Sequence, residues 1–179
     1  SSNSGYDKGG NRVSATDGKS ETTTYVFDAR GRQIKQVDRM AGETEFAYTD
    51  TGQLASLTDA ENQVTSYTYD DAGRKASEAF TMGGQTYTTG LDYDAAGQLI
   101  EYTYPDGSVV ARSYNDRGQL YQISFDSTVI DTRAYDDGGR MTSSTYNNGV
   151  GETRAYNVDN TLASITFSGA SIGTYSYGW

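Results

Sequence analysis

The sequence contains no cysteine, no histidine and only one proline among its 179 residues. Without cysteine there can be no disulfide, no iron–sulfur site and no thiol nucleophile, and zinc sites built on Cys or His are excluded. Without histidine there can be no Ser-His-Asp or Cys-His catalytic machinery. No apolar run reaches the roughly 18 residues that a membrane-spanning helix needs. These absences exclude most of the common classes of enzyme.

Charge and composition narrow the class further. Acidic side chains number 24 and basic ones 14, giving a net charge of −10, which argues against binding to nucleic acid. Leu, Ile, Val and Phe together make up only 26 residues, a fraction typical of disordered chains. The 16 tyrosines and 21 glycines do not fit a disordered tail. A Tyr- and Thr-rich chain favours β structure, and the length suffices either for a compact domain with a sizeable core or for a short repeat array.

An aromatic residue followed by Asp, Asn or Thr recurs every 21 residues, usually with glycine four residues later. One three-residue insertion near Met82 is the only deviation. This periodicity predicts a repeat array over residues 6–179, preceded by flexible residues 1–5 and with a ninth unit begun at residue 177. The repeat anchors are Tyr6, Phe27, Tyr48, Tyr69, Tyr93, Tyr114, Tyr135, Tyr156 and Tyr177, and the matching glycines are Gly10, Gly31, Gly52, Gly73, Gly97, Gly118 and Gly139.

Each repeat has the pattern of a β-hairpin. The Asp or Asn after the anchor can bond its own backbone, and the glycine supplies a positive φ at the end of the turn. In the last full repeat, Asn160 takes the place of this glycine. A strand, a second turn and a returning strand with alternating aromatics follow. We expect the second turns at Asp17-Gly18, Ala41-Gly42, Glu61-Asn62, Gly83-Gly84, Asp106-Gly107, Asp126-Ser127, Asn148-Gly149 and Ser168-Gly169.

A single hairpin of this size cannot fold alone, because two aromatic rings return much less free energy than the ordering of 21 residues costs. Stability must come from neighbouring units, through ladder hydrogen bonds and rows of aromatic rings. The sequence thus predicts an all-β fold, an array of about eight antiparallel β-hairpin repeats that forms a curved or spiralling sheet.

The repeat resembles the YD repeat of the Rhs/YD-repeat superfamily. The resemblance covers residues 6 to 179, with looser copies from Tyr48, Tyr93, Tyr114 and Tyr156. The self-cleaving members carry Asp-Pro motifs, whereas the only proline here, Pro105, follows Tyr104. The clearest copies are Tyr6-Asp7-Lys8-Gly9-Gly10-Asn11-Arg12, Phe27-Asp28-Ala29-Arg30-Gly31-Arg32, Tyr69-Asp70-Asp71-Ala72-Gly73-Arg74 and Tyr135-Asp136-Asp137-Gly138-Gly139-Arg140.

The resemblance implies a structural, non-enzymatic role, for which we expect no cofactor and no metal. In this superfamily, strips of such hairpins form hollow shells around toxic domains in bacterial Rhs, wall-associated and insecticidal toxin-complex proteins, and a similar shell belongs to the teneurin adhesion receptors. It implies a shell segment that encapsulates or presents a toxin or effector domain, is secreted or at the cell surface, and contacts the rest of a larger YD-repeat polypeptide or neighbouring chains at open edges. The alternatives are an extracellular carbohydrate- or receptor-binding adhesion module and a filament that assembles edge to edge.

Some side chains fall outside the repeat pattern and are candidates for ligand contacts. Three tyrosines and Trp179 could stack on sugar rings or peptide, or else pack across strands. Three arginines, each two residues before an anchor, should line up on neighbouring hairpins and either meet a carboxylate or tyrosine face or grip an acidic partner. The pairs Asp70-Asp71 and Asp136-Asp137 are interpreted as turns rather than as catalytic or metal sites. The candidates are Tyr102, Tyr104, Tyr121, Arg112, Arg133 and Arg154.

Overall fold

A computed structural model describes residues 3–169 and the backbone of residues 173–178. The chain divides into two compact units, Ser1–Thr89 and Gly90–Trp179. Within each unit the strands pair with their neighbours in chain order, and every pair whose register is seen is antiparallel. The described residues contain no helix long and apolar enough to cross a membrane. The predicted array of antiparallel hairpins is confirmed.

The first unit contains the first eight strands, and the chain passes into the second unit within β9. These strands are β1 (Asn3–Tyr6), β2 (Arg12–Thr16), β3 (Thr22–Phe27), β4 (Gln33–Val37), β5 (Glu43–Tyr48), β6 (Leu54–Thr58), β7 (Val64–Tyr69), β8 (Lys75–Met82) and β9 (Gln85–Tyr93).

The second unit continues the same order from the end of β9. Its strands are β10 (Leu99–Thr103), β11 (Val109–Tyr114), β12 (Leu120–Phe125), β13 (Thr128–Tyr135), β14 (Met141–Tyr146), β15 (Gly151–Tyr156), β16 (Leu162–Gly169) and β17 (Gly173–Gly178).

The returning strand of each repeat carries its aromatic residues on one face. In β3 and β5, exposed and half-buried side chains alternate, and the half-buried set includes Tyr25, Phe27, Phe46 and Tyr48. This alternation follows from the two-residue period of a strand, which sends successive side chains to opposite faces. We call the face that carries the anchors the aromatic face.

Every hairpin that begins at an anchor contains a β-bulge. The anchor pairs with the residue six positions later, while the residue before the anchor pairs with the residue eight positions after that anchor, as in Tyr48↔Leu54 and Ala47↔Ser56. One residue, seven after the anchor, is therefore left over on the second strand, which bends the strand and increases its twist. The bulge residues are Val13, Ile34, Ala55, Ala76, Ile100, Tyr121, Thr142 and Ala163.

The first turn of each repeat ends in the left-handed region, as its glycine predicts. All seven repeat glycines have positive φ, between 74° and 95°. Asn160 takes the same conformation with φ 68°. Asparagine is among the few residues that enter this region readily, so the substitution keeps the backbone of the turn unchanged.

Seven of the eight second turns lie where the sequence predicts them, but several are longer than two residues. In the turn that starts at Asp17, the left-handed residue is Ser20 (φ 68°), and Gly18 has no positive φ. The bonds Asp17 N to Glu21 O and Ser20 N to Asp17 O, 2.9 and 3.1 Å, define a three-residue loop rather than a two-residue turn. Ala41 and Asn62 occupy the position of Ser20 in the next two repeats. Two consecutive positive φ values occur in the described residues only at Gly83-Gly84 and Asp126-Ser127.

The ends of the array also depart from expectation. Residues 1–5 were predicted to be flexible, but Asn3, Ser4 and Gly5 form part of β1 and pair with β2. The turn expected at Ser168-Gly169 is wrong, because both residues belong to β16. A strand continues there because its backbone still has a partner in β17, with Gly169 opposite Gly173.

Residues 3–169 contain no hydrophobic core, since no apolar side chain in this range is buried. The buried side chains in that range are Asp131, Ser144 and Glu152, and all three are polar. The aromatic rings of β5 and β7 are half-buried, since no second layer of secondary structure is described over them. Hydrogen bonds and contacts within the sheet must therefore supply most of the specificity of the fold.

The turn geometry predicts opposite effects for two glycines that both have open space at the Cβ position, Gly10 and Gly18. Gly10→Ala should lower the free energy of unfolding by about 1–2 kcal/mol, because an L-residue is strained at φ +86°. Gly18→Ala should be neutral or stabilising by up to about 1 kcal/mol, because it restricts only the unfolded chain. Urea unfolding measures both, and equal losses for the two variants would contradict the assignment.

Candidate functional site

The aspartate after the anchor closes the first turn. Asp70 Oδ1 accepts hydrogen bonds from the backbone N–H groups of Ala72 and Arg74, at 3.0 and 2.8 Å. Its Oδ2 accepts from Nε of Arg74 at 2.7 Å. The same carboxylate thus caps the turn and fixes the arginine that follows the glycine. Asp28 and Asp136 bind Arg32 and Arg140 in the same way.

These hydrogen bonds favour the charged form of the aspartates. The pKa of Asp70 is lowered from 3.8, chiefly by the backbone N–H of Arg74. The pKa values of Asp28 and Asp136 are lowered by the corresponding N–H groups of Arg32 and Arg140. In each of the pairs Asp70-Asp71 and Asp136-Asp137, the first aspartate therefore forms the turn. The described residues contain no cluster of three or more acidic side chains suited to a metal ion.

The motif arginine also reaches the next repeat. The guanidinium carbon of Arg32 lies 4.4 Å from the ring centroid of Tyr48, and that of Arg140 lies 4.8 Å from the ring of Tyr156. A guanidinium over a tyrosine face is attracted by the ring quadrupole. Each such arginine joins the turn of its own repeat to the anchor of the following one.

The anchor tyrosine completes the contact with its hydroxyl. Tyr48 Oη donates to the carbonyl of Gln33 at 2.7 Å, and Tyr135 Oη donates to the carbonyl of Leu120 at 2.6 Å. The accepting carbonyl belongs in each case to the residue just before the bulge of the preceding repeat. Tyr69, Tyr114 and Tyr156 make the same bond, at 2.8, 3.1 and 2.8 Å.

Adjacent first turns are joined by a third set of contacts. Where glutamine follows the repeat glycine, as at Gln98 and Gln119, its Nε2 donates to the carbonyl of the next repeat glycine at 2.7 Å. Gln53 does the same to Gly73. Arg30 and Arg117 reach backbone carbonyls of the next turn from a different turn position. The sequence analysis did not predict these bridges, although the recurrence of Arg or Gln directly after the repeat glycine could have indicated them.

The predicted anchors do not all have the same environment. Those from Phe27 to Tyr156 are half-buried, whereas Tyr6 in β1 is 64% exposed. Phe27 has no hydroxyl and cannot make the bond that Tyr48 makes. Tyr177 lies in β17, of which only the backbone is described, and Trp179 lies outside the described residues.

The structure brings two of the three candidate tyrosines together. Tyr102 lies in β10 and its ring meets the ring of Tyr104 edge to face, with centroids 4.8 Å apart. Tyr104 begins the turn after β10 and is 42% exposed. Tyr121 is the bulge residue of β12 and is 39% exposed. The other seven bulge residues are half-buried, so Tyr121 is the exposed member of this set.

The three candidate arginines lie on the aromatic face but do not form the expected row. Arg133 is opposite Ser144, which is opposite Glu152, while Arg112 is opposite Ile123, which is opposite Asp131. Each row thus runs from an arginine to a carboxylate of the next repeat. This offset arises because directly paired residues, and not residues spaced by one repeat length, are neighbours across strands.

A buried polar cluster occupies this face on β13, β14 and β15. Asp131 Oδ2 lies 2.7 Å from Nε of Arg133, and Asp131 Oδ1 accepts a hydrogen bond from Ser144. Glu152 forms an ion pair with Arg154. The hydrogen bond to Glu152 raises the pKa of Arg154. Two of the three arginines are therefore neutralised by a carboxylate two residues earlier on the same strand.

Comparisons with known proteins agree with this architecture. A family model described as Teneurin YD-shell matches residues 1–133. No curated protein sequence matches the chain.

Crystal structures of the TcdB2–TccC3 assembly resemble the chain at low identity. The one that includes TEV is 18% identical with a TM-score of 0.52, covering 95% of this chain and 11% of that chain. The one that includes Cdc42 is 18% identical with a TM-score of 0.51, covering 93% and 11%. TcdB2–TccC3 itself is 17% identical with a TM-score of 0.52, covering 95% and 11%. The likeness shows the fold alone, and the chain spans about a tenth of the length of these structures.

The lowered aspartate pKa values predict acid sensitivity. A carboxylate whose folded pKa lies below its unfolded value stabilises the fold above the unfolded pKa and loses that contribution as pH falls through the folded one. Stability should therefore decline as the pH drops below 3.8, the ordinary value for Asp70. Urea unfolding between pH 7 and pH 2.5 measures the decline.

Asp70 has a matched control in its neighbour Asp71, whose side chain makes no hydrogen bond with any described residue. Asp70→Asn should lower stability at pH 7 and flatten the pH dependence below 3.8. Asp71→Asn should leave the pH profile of the wild type in place. A pH profile changed equally by both substitutions would refute the capping role of Asp70.

Proposed function

The chain belongs to the Teneurin YD-shell family, and from this premise we propose that it is a non-enzymatic segment of the wall of a YD-repeat shell that encapsulates or presents a toxin or effector domain. The observation that carries the proposal is the use of the motif itself. Tyr, Asp, Gly and Arg each hold a turn or join two repeats, as Asp28, Arg32 and Tyr48 do. Because these motif residues hold turns and join repeats, they support a structural rather than a catalytic role for the chain.

The wall of a shell would act by keeping solvent and other proteins away from what it encloses. Every strand edge inside a unit is paired with the next strand, so backbone polar groups are occupied within the sheet. The aromatic face is only half-buried and presents rings such as Tyr114 and Tyr135 to whatever lies over it. We propose that an enclosed polypeptide lies over this face and is kept from solvent and proteases.

The remaining features of the proposal follow from family membership. The array over residues 6–179 would continue into further repeats of a longer polypeptide, which would pair with its outer strands. The location would be extracellular or at the cell surface. The absence of enzymatic activity stays a prediction.

A second candidate function is a carbohydrate- or receptor-binding module. It is favoured by the exposed ring of Tyr104, held edge to face against Tyr102, since rigid exposed aromatics suit stacking on sugars. Under this alternative the polypeptide would bind a glycan through Tyr104 and would enclose nothing.

Limited proteolysis of the intact polypeptide that contains this segment tests the wall. We expect trypsin to leave an enclosed domain intact while the wall is closed. Tyr135→Ala removes an anchor ring and its bond to the Leu120 carbonyl, so cleavage of the enclosed domain should become about tenfold faster or more.

Tyr121→Ala is the matched control, because it removes an exposed tyrosine whose hydroxyl has no partner among the described residues. It should leave the cleavage rate unchanged. Equal cleavage rates in the wild type and the Tyr135 variant would overturn the wall function. Glycan binding that is lost in Tyr104→Ala, without any protected domain, would establish the second candidate instead.

A further inference from the structure

Arg112 in β11 has a buried donor without an acceptor. Its Nη1 atom is buried and makes no hydrogen bond. The side chain forms no ion pair or ring contact with any described residue. The Nη1 of Arg32 is also unbonded, but that guanidinium is paired with Asp28 at 2.7 Å and lies over Tyr48. Arg112 has no such compensation.

The next two repeats show what is missing. Arg133 and Arg154 each bind a carboxylate located two residues earlier on the same strand. Those carboxylates, Asp131 and Glu152, are only 4% and 7% exposed. Each of these two repeats therefore buries an acidic side chain on the aromatic face. In β11 the corresponding position is held by Val110. The repeat that contains Arg112 therefore has the arginine but lacks the carboxylate that pairs with it in the next two repeats.

No other carboxylate on this face of the described strands β10–β16 replaces the missing one. Asp131 lies in the row of Arg112, beyond Ile123, but is bound to Arg133 and Ser144. Glu101 is opposite Ala111 and so lies on the other face. The aromatic face of these strands thus carries three arginines and two carboxylates, a local excess of one positive charge within a chain of net charge −10.

Arg112 is half-buried, and a buried N–H of its guanidinium that has no acceptor costs free energy that a hydrogen bond to an acceptor would recover. Planar carboxylates are the acceptors that match its geometry. Asp131 and Glu152 further show that the repeat accommodates acidic side chains at this depth.

We infer that Arg112 binds the carboxylate of an acidic side chain from another polypeptide segment that lies over the aromatic face. Tyr102, opposite Val110, and Ile123, opposite Arg112, flank the site and would contact the apolar part of that side chain. The inference identifies the chemistry of a partner and holds whether or not the wall is closed.

NMR of the arginine Nε–H signals of the full chain tests the site. The probe is the peptide acetyl-Gly-Glu-Gly-amide, with acetyl-Gly-Gln-Gly-amide and sodium chloride as controls and sodium acetate as the free carboxylate. The Arg112 signal should shift saturably with the glutamate peptide and not with the glutamine peptide. The peptide should bind about tenfold or more tightly than acetate if a polypeptide side chain is the ligand.

Two variants make the test specific. Val110→Asp supplies the carboxylate that Asp131 gives to Arg133, so it should abolish the peptide shift and raise the melting temperature above that of Val110→Asn. Arg39→Gln, which removes an arginine that is 59% exposed in the first unit, should leave peptide binding unchanged.

Three outcomes would overturn the inference. One is the absence of a saturable Arg112 shift in the wild type, and a second is peptide binding that is equally strong in Val110→Asp. A third is equal affinity for acetate and the glutamate peptide, which would make Arg112 a site for free carboxylate ions rather than for a polypeptide.

Discussion

The hydroxyls of five anchor tyrosines each donate to a backbone carbonyl of the preceding repeat, and the rest of the structure depends on these bonds; the five are Tyr48, Tyr69, Tyr114, Tyr135 and Tyr156. The carbonyl belongs to the residue just before the bulge, as Leu120 does for Tyr135. A bulge disturbs the regular ladder, and the tyrosine hydroxyl satisfies a backbone group at that point. Since no apolar side chain of residues 3–169 is buried, such bonds carry the specificity that a hydrophobic core supplies elsewhere.

The other motif residues serve the same contact. The aspartate fixes the arginine by its side chain and fixes the turn by its backbone bonds, and the arginine then covers the next anchor ring. Where glutamine replaces arginine, as at Gln98, it bridges to the next glycine carbonyl instead. Both choices connect consecutive repeats, which explains why a chain with so few aliphatic residues can form an ordered array. The polar cluster around Asp131 also joins neighbouring strands, because Ser144 in β14 donates a hydrogen bond to Asp131 in β13.

Much of the fold could be predicted from the sequence because the repeat length fixes the hairpins and glycine or asparagine marks the first turn, as Asn160 shows. The positions of most second turns could also be predicted, but the residue that takes the left-handed conformation could not, because the hydrogen-bonded ring of the loop sets it, and Ser20 occupies it although Gly18 is nearby. The bulges leave no residue signature, since Ala55, Ile100 and Tyr121 all occupy the same position. The pairing of Arg133 with Asp131 required the strand register, which spacing by repeats does not give.

The most direct test of the central contact adds the bond where it is missing and removes it where it exists. Phe27→Tyr places a hydroxyl at an anchor that lacks one and should raise the free energy of unfolding by about 0.5–1.5 kcal/mol, whereas Tyr135→Phe should lower it by a similar amount. Tyr121→Phe should change it by less than about 0.5 kcal/mol. Urea unfolding of the three variants in parallel decides the matter: the predicted order is Phe27→Tyr above the wild type and Tyr135→Phe below it, and three indistinguishable free energies would contradict the account.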